Sequence, residues 1–238
     1  MRRCRAFRYA QGPLAWRPAG GVVAATQMIA FVTAAGLTRP GYDPDRNWVS
    51  QLSLGPGGWQ GTVNLATCGL WLIVCAAGLR RRLGTAGSAR WSARLVRCCG
   101  VGLVVLAIVP TEPGLGYPPG VPSVYTAKGA AHQLVSVLLG LCAIAAAALL
   151  GRSLRGFRAP AAGLPWAWPV GLLVAAVMAV AFVAASVLVV LDADGVLPDN
   201  PSGLLERVTL FTGLGWIAIV SAALLITRGG PLRPDPLR

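Results

Sequence analysis

Eight polar residues have the types and positions to do chemistry in an otherwise oily chain: Asp43, Asn47, Ser50, Thr111, Glu112, His132, Glu206 and Arg207. Arg207 could grip a phosphate or carboxylate with both prongs of its guanidinium. His132, the single histidine, could move a proton, with Asp43 or Glu112 orienting its ring. Ser50 or Ser136 would supply the nucleophile of a Ser/His/Asp hydrolase, although no nucleophile-elbow pattern surrounds either. One histidine and the absence of any CxxC spacing leave no zinc site, so no metal or cofactor is expected. A structural reading stands beside the chemical one. Arg207 paired with Glu112 or Asp43 would tie loops together, and His132 would cap a helix end.

The elements that must position these groups are apolar. Of 238 residues, 55% are hydrophobic and only 12% charged, against about 45–50% and about 25% in a soluble domain. The excess falls in blocks. Runs of about 20 apolar residues cross a hydrocarbon core of about 30 Å as helices. Six spans are expected, at about 19–38, 61–79, 95–110, 129–150, 167–191 and 204–227. No connection is long enough for a separate soluble domain, so residues 1–238 read as one integral membrane domain. The fold class is an all-α, polytopic bundle of six transmembrane helices. Arg2, Arg3, Arg5 and Arg8 precede the first span in the manner of a signal peptide. Its apolar stretch exceeds an h-region of about 7–15 residues, and a retained anchor is expected.

The net charge of +13 is a topology signal and no nucleic-acid footprint. Seventeen of the 21 basic residues fall in the N-terminal segment, Arg80 to Arg97, Arg152 to Arg158 and the tail. The alternate loops hold only Arg39, Arg46, Lys128 and Arg207, together with seven of the eight acids. Short cytoplasmic loops collect Lys and Arg, which predicts both termini inside and a cell-membrane, multi-pass location. The arginines would attract anionic lipid headgroups. None of the six cysteines (Cys4, Cys68, Cys75, Cys98, Cys99, Cys142) lies in an outward loop, so small packing residues are expected and not disulfides.

The first outward connection holds "GYDPDRNWVSQLSLGPGGW". Asp43 before Pro44 signals a helix start and Gly55-Pro56 a stop. The spacing predicts a short interfacial helix over about 44–54, with Asp43, Asn47, Ser50 and Leu54 on one face. Trp48 and Trp59 would sit at headgroup level. In the second loop five prolines and three glycines between Pro110 and Pro122 exclude regular structure. Lys128, His132 and Ser136 then descend the fourth span at i, i+4 and i+8. The third loop carries Asp192, Asp194 and Asp199 among turn residues; it lacks EF-hand spacing and reads as a solvated turn.

Three stretches converge on a family. "GYDPDRNWVSQLSLGP", "VPTEP" followed by "AHQLVSVLLG", and "GLLERVTLFTGLGWIA" resemble an uncharacterised family of bacterial six-helix membrane proteins, domain of unknown function 998. That family usually shows aspartate where Glu112 stands and often glutamine where Glu206 stands. The resemblance implies a membrane bundle and no established activity. All three stretches fall on the outer side. An outward-facing polar pocket that binds or handles a lipid or small amphiphile is therefore expected. Two other readings stay open: a non-catalytic scaffold or partner of another membrane protein, and an intramembrane hydrolase or transferase. Membrane lipids are the expected partners, and Ala/Gly-rich spans such as "GLCAIAAAALLG" would also allow a membrane-protein partner or a homo-oligomer.

Overall fold

The computed structural model describes residues 14–85, 87–155 and 166–226. The N-terminal arginines Arg2 to Arg8, Cys4, Arg158, residue 227 and the tail arginines lie outside the described residues. Among the described residues there are six α-helices: α1 Ala19–Thr38, α2 Trp59–Leu83, α3 Gly87–Ile108, α4 Ala127–Arg155, α5 Ala167–Ala193 and α6 Ser202–Ile226. Each is long and apolar enough to cross a membrane, and no strand occurs among the described residues. The chain is an all-α, multi-pass membrane protein.

Several helices outrun the apolar spans. α2 continues through Arg80, Arg81 and Arg82, which occupy its last turn, where cations face the free carbonyls of the helix end. α3 begins at Gly87 and not near 95; Arg90 and Arg94 flank the Trp91 ring there, at 5.8 and 5.1 Å from its centroid. α4 likewise runs on to Arg155. Apolarity marks the part of a helix that meets hydrocarbon, whereas the backbone hydrogen bonding continues beyond it.

Each helix packs on its neighbours in sequence, and α1 also packs on α6, so the six close into a ring. One end of the ring is drawn tight by small residues. A Cβ on Gly20 would lie 2.6 Å from the Trp71 carbonyl, and one on Gly78 2.6 Å from the Pro18 nitrogen. Gly151 and Gly171 meet backbone to backbone in the same way, with a built Cβ 2.8–2.9 Å from the opposing Cα. Backbones approach this closely only where side chains are small. This end also carries the helix-terminal arginines Arg80 to Arg82, Arg90, Arg94, Arg152 and Arg155. Cys68, Cys75 and Cys99 are buried packing residues, and the Cys75 Sγ lies 3.5 Å from the Ser221 Oγ. At the opposite end the three longer connections fold over the helix ends.

Candidate functional site

The first of these connections, residues 39–58, departs from the helix expected over 44–54. One helical turn forms, with the Asn47 N–H donating to the Asp43 carbonyl at 2.7 Å. Trp48 is then extended, and only a 3-10 helix, Val49–Ser53, follows. The cause is competition for the backbone. The carbonyls of Asn47 and Trp48, which a continuing helix would offer to residues 51 and 52, are taken from outside. Arg207 Nη1 donates to the Asn47 carbonyl at 2.9 Å and the Tyr42 hydroxyl to the Trp48 carbonyl at 2.9 Å. The Asn47 side chain meanwhile accepts the Asp43 N–H at 2.8 Å. Asp43 accepts the Asp45 N–H at 2.9 Å and stays exposed, an Asx turn in place of a helix cap. The shared face expected for Asp43, Asn47, Ser50 and Leu54 therefore does not exist.

What replaces it is a junction between this connection and the start of α6, made almost wholly through main chain. The Leu204 N–H donates to the Asp45 carbonyl at 2.8 Å, and the Ser202 hydroxyl to the Arg46 carbonyl at 3.3 Å. The Val49 N–H donates to Glu206 Oε2 at 2.8 Å. Arg207 also donates to the Gly203 carbonyl at 2.9 Å and to the Tyr42 hydroxyl, and its guanidinium carbon lies 5.5 Å from the Tyr42 ring centre. Gly203 permits the approach, since a Cβ there would fall 2.5 Å from the Asn47 carbonyl. Arg207 is buried and fully engaged by neutral partners. Burial pushes the Tyr42 phenol well above its ordinary value, while the guanidinium beside it pulls the other way.

The second connection, residues 109–126, lies against the first. Gly114 to Tyr117 form a tight turn with mutual backbone hydrogen bonds of 3.0 and 3.1 Å, Leu115 taking φ 54° and Gly116 φ 75°. Gln51, fully buried, donates to the Gly114 carbonyl at 2.6 Å and accepts the Trp48 N–H at 2.9 Å. Asn47 donates to the Leu115 carbonyl at 2.9 Å, and the Tyr42 and Tyr117 rings meet edge to face at 5.2 Å. Glu112 serves the start of α4: its carboxylate accepts the Thr126 hydroxyl and, at 3.0 Å, the Thr126 N–H. Those two bonds hold its carboxyl below the usual carboxylate range.

The third connection is the solvated turn its composition suggested, residues 193–199 being exposed, and the exception is Asp192 in the last turn of α5. Arg46 pairs with Asp192 at 3.3 Å and with Asp199. Asp199 is mostly exposed, but the Asp192 side chain is only 9% exposed. Arg46 Nε and Asp192 Oδ2 are both buried without a hydrogen-bond partner.

Beneath these connections the helices line a chamber of about 840 Å³, within the range of about 300–1,000 Å³ typical of small-molecule sites. Its walls are chiefly apolar and come from all six helices, with Met28, Leu72, Leu103, Leu139, Phe182 and Leu210 among them. Trp216 stands deep in it, and its indole N–H donates to the Ala147 carbonyl at 3.1 Å. The mouth carries Arg46, Ser50, Thr111, Glu112, Asp192 and Glu206.

Of the eight candidate residues, Ser50, Thr111, Glu112 and Glu206 line this chamber, and Asp43, Asn47, His132 and Arg207 do not. His132 is buried with Nδ1 2.6 Å from the Val109 carbonyl, holding the end of α3 to α4. Its Nε2 is buried and unpartnered. Ser136, one turn below, lines the chamber and donates to the His132 carbonyl at 3.0 Å, while Lys128 is exposed. Sequence reasoning passed over Arg46, Gln51 and Asp192. The signal available for two of them was charge complementarity, a lone mid-loop arginine facing an acidic loop. Neither the curated proteins nor the solved structures offer a match to this chain. The family model for a protein of unknown function, DUF998, matches residues 22–223, which take in the whole junction and every residue named at the chamber mouth. The chain belongs to the DUF998 family.

Proposed function

We propose that the protein binds a lipid or small amphiphile in the chamber between its helices. The observation that carries this reading is the chamber itself: about 840 Å³ of mostly apolar space with its charged groups gathered at one end. An apolar chain would occupy the walls and a polar head would stay at the mouth, which matches the ligand to the site on both counts. The mouth lies at the end of the ring opposite the helix-terminal arginines. The arginine bias supports an extracytoplasmic mouth in the cell membrane. Binding is favoured over hydrolysis because the one histidine does not line the chamber. Its Nδ1 faces the Val109 carbonyl, and the Ser136 hydroxyl donates to the His132 carbonyl instead of facing the ring.

Ala143 lines the chamber on α4, and Ala143→Phe would fill part of it. The expected outcome is loss of co-purifying amphiphile, read by mass spectrometry of the purified protein, at an unchanged thermal midpoint. Retention of the same amphiphile by the filled variant would remove the chamber as the binding site.

A further inference from the structure

The chamber mouth has an electrostatic character opposite to that of the chain. The protein as a whole carries a formal +13, yet the charged side chains lining the chamber are one cation, Arg46, and three carboxylates, Glu112, Asp192 and Glu206. The single cation is already claimed, because Arg46 pairs with Asp192 and Asp199. Glu112 is committed to the Thr126 hydroxyl and amide. Glu206 differs from both. One of its oxygens accepts the Val49 N–H at 2.8 Å, and it forms no ion pair among the described residues. Arg207, next in sequence, turns its guanidinium to Tyr42, Asn47 and Gly203 on the junction side. A second observation points the same way: the Asp192 side chain, nine-tenths buried, keeps Oδ2 without a partner. A buried carboxylate oxygen left without a donor is costly, and a cationic N–H brought to it recovers part of that cost.

We infer that the chamber selects a cationic amphiphile, an apolar chain ending in an ammonium group, whose head sits at Glu206 with Asp192 nearby. The inference rests on the chamber reading above and adds the sign of the head. An ammonium is a compact point charge with no fixed fork geometry, so a carboxylate with one free oxygen suffices as its counter-ion. Trp48 at the mouth adds an aromatic side chain to the same end of the chamber, a surface that also favours cations. The chain would run between Phe182 and Leu139 towards Trp216.

The test uses the full-length protein in phosphatidylcholine nanodiscs, whose surface carries no net charge. Three probes share one terminally brominated dodecyl chain and differ in the head: ammonium, hydroxyl and carboxylate. Quenching of tryptophan fluorescence is read for wild type, Ala143→Phe and Glu206→Gln. Only the quenching lost in the filled Ala143→Phe variant reports the chamber. The expected result is chamber-specific binding of the ammonium probe about tenfold tighter than of the alcohol, with the carboxylate weakest. Glu206→Gln, which keeps an acceptor for the Val49 N–H, should cost the ammonium probe most of that advantage and leave the alcohol unchanged. Equal affinity for ammonium and alcohol in wild type, or an ammonium advantage that survives Glu206→Gln, would overturn the cationic head while leaving the chamber reading standing. An absence of chamber-specific quenching by all three probes would overturn both.

Discussion

Glu206 and Arg207 are consecutive in sequence, and they belong to two regions with opposite physical logic. Arg207 enters the junction, where its charge meets two backbone carbonyls and a phenol and is shut away from water. Glu206 borders the chamber, where one oxygen is held by the Val49 N–H and no cation pairs with it directly among the described residues, the adjacent Arg207 acting on it only through space. The junction answers most of its polar groups internally, the buried Ser53 hydroxyl being an exception, and so acts as a scaffold. The chamber leaves groups unanswered and so offers them to something else. Buried polar groups in membranes are functional candidates by default, but this pair shows that partner count separates the two roles better than burial does.

The sharpest way to break the comparison is Arg207→Ala. It removes hydrogen bonds to three buried groups and leaves the Asn47 carbonyl only the Tyr42 hydroxyl, 3.2 Å away, as donor, so a loss of about 2–4 kcal/mol is expected. Thermal unfolding in nanodiscs would show the drop, while amphiphile bound per folded molecule stays level. Ligand lost at full stability would instead make Arg207 part of the site. Gly203→Ala comes next. Its methyl would press on the Asn47 carbonyl 2.5 Å away, and overpacking of this kind costs about 1–3 kcal/mol. The effect should appear in the unfolding midpoint and again spare the ligand.

The smallest effect concerns the rim. Because its carboxyl titrates below the ordinary value of 4.5, Glu112 contributes stability that is fully present above that value. The contribution fades as pH falls through the lower folded-state value. Wild type should therefore lose more of its midpoint than Glu112→Gln on titration from about pH 6 to pH 3. Parallel curves for the two proteins would release Glu112 from its hold on Thr126.

Much of the architecture was legible from composition, since blocks of apolar residues bounded by arginines leave few alternatives to a helix bundle. The blocks "GYDPDRNWVSQLSLGP" and "GLLERVTLF" were also legible as special, and they prove to be the two halves of the junction. Their pairing was not legible. Arg207 and Ser202 address backbone carbonyls, and every residue has one, so no complementary side chain betrays the partner. The same capture of carbonyls cut short the helix signalled at Asp43-Pro44, while the stop at Gly55-Pro56 stands, the last helical residue being Ser53. The chamber was hidden for a different reason. Leu72, Leu139 and Ala147 read like any packed helix face, and nothing in their residue types marks that they border open space.

The closed ring has a consequence for biosynthesis. Val49 and Glu206 lie 157 residues apart in the chain and Tyr42 and Arg207 165 apart. At about 5–20 residues per second a ribosome needs on the order of 10–30 s to span that separation. Through this interval the first connection carries backbone carbonyls whose final donors have yet to be synthesised. A nascent chain of five helices is thus an unclosed horseshoe, and arrival of the sixth at the membrane latches it shut.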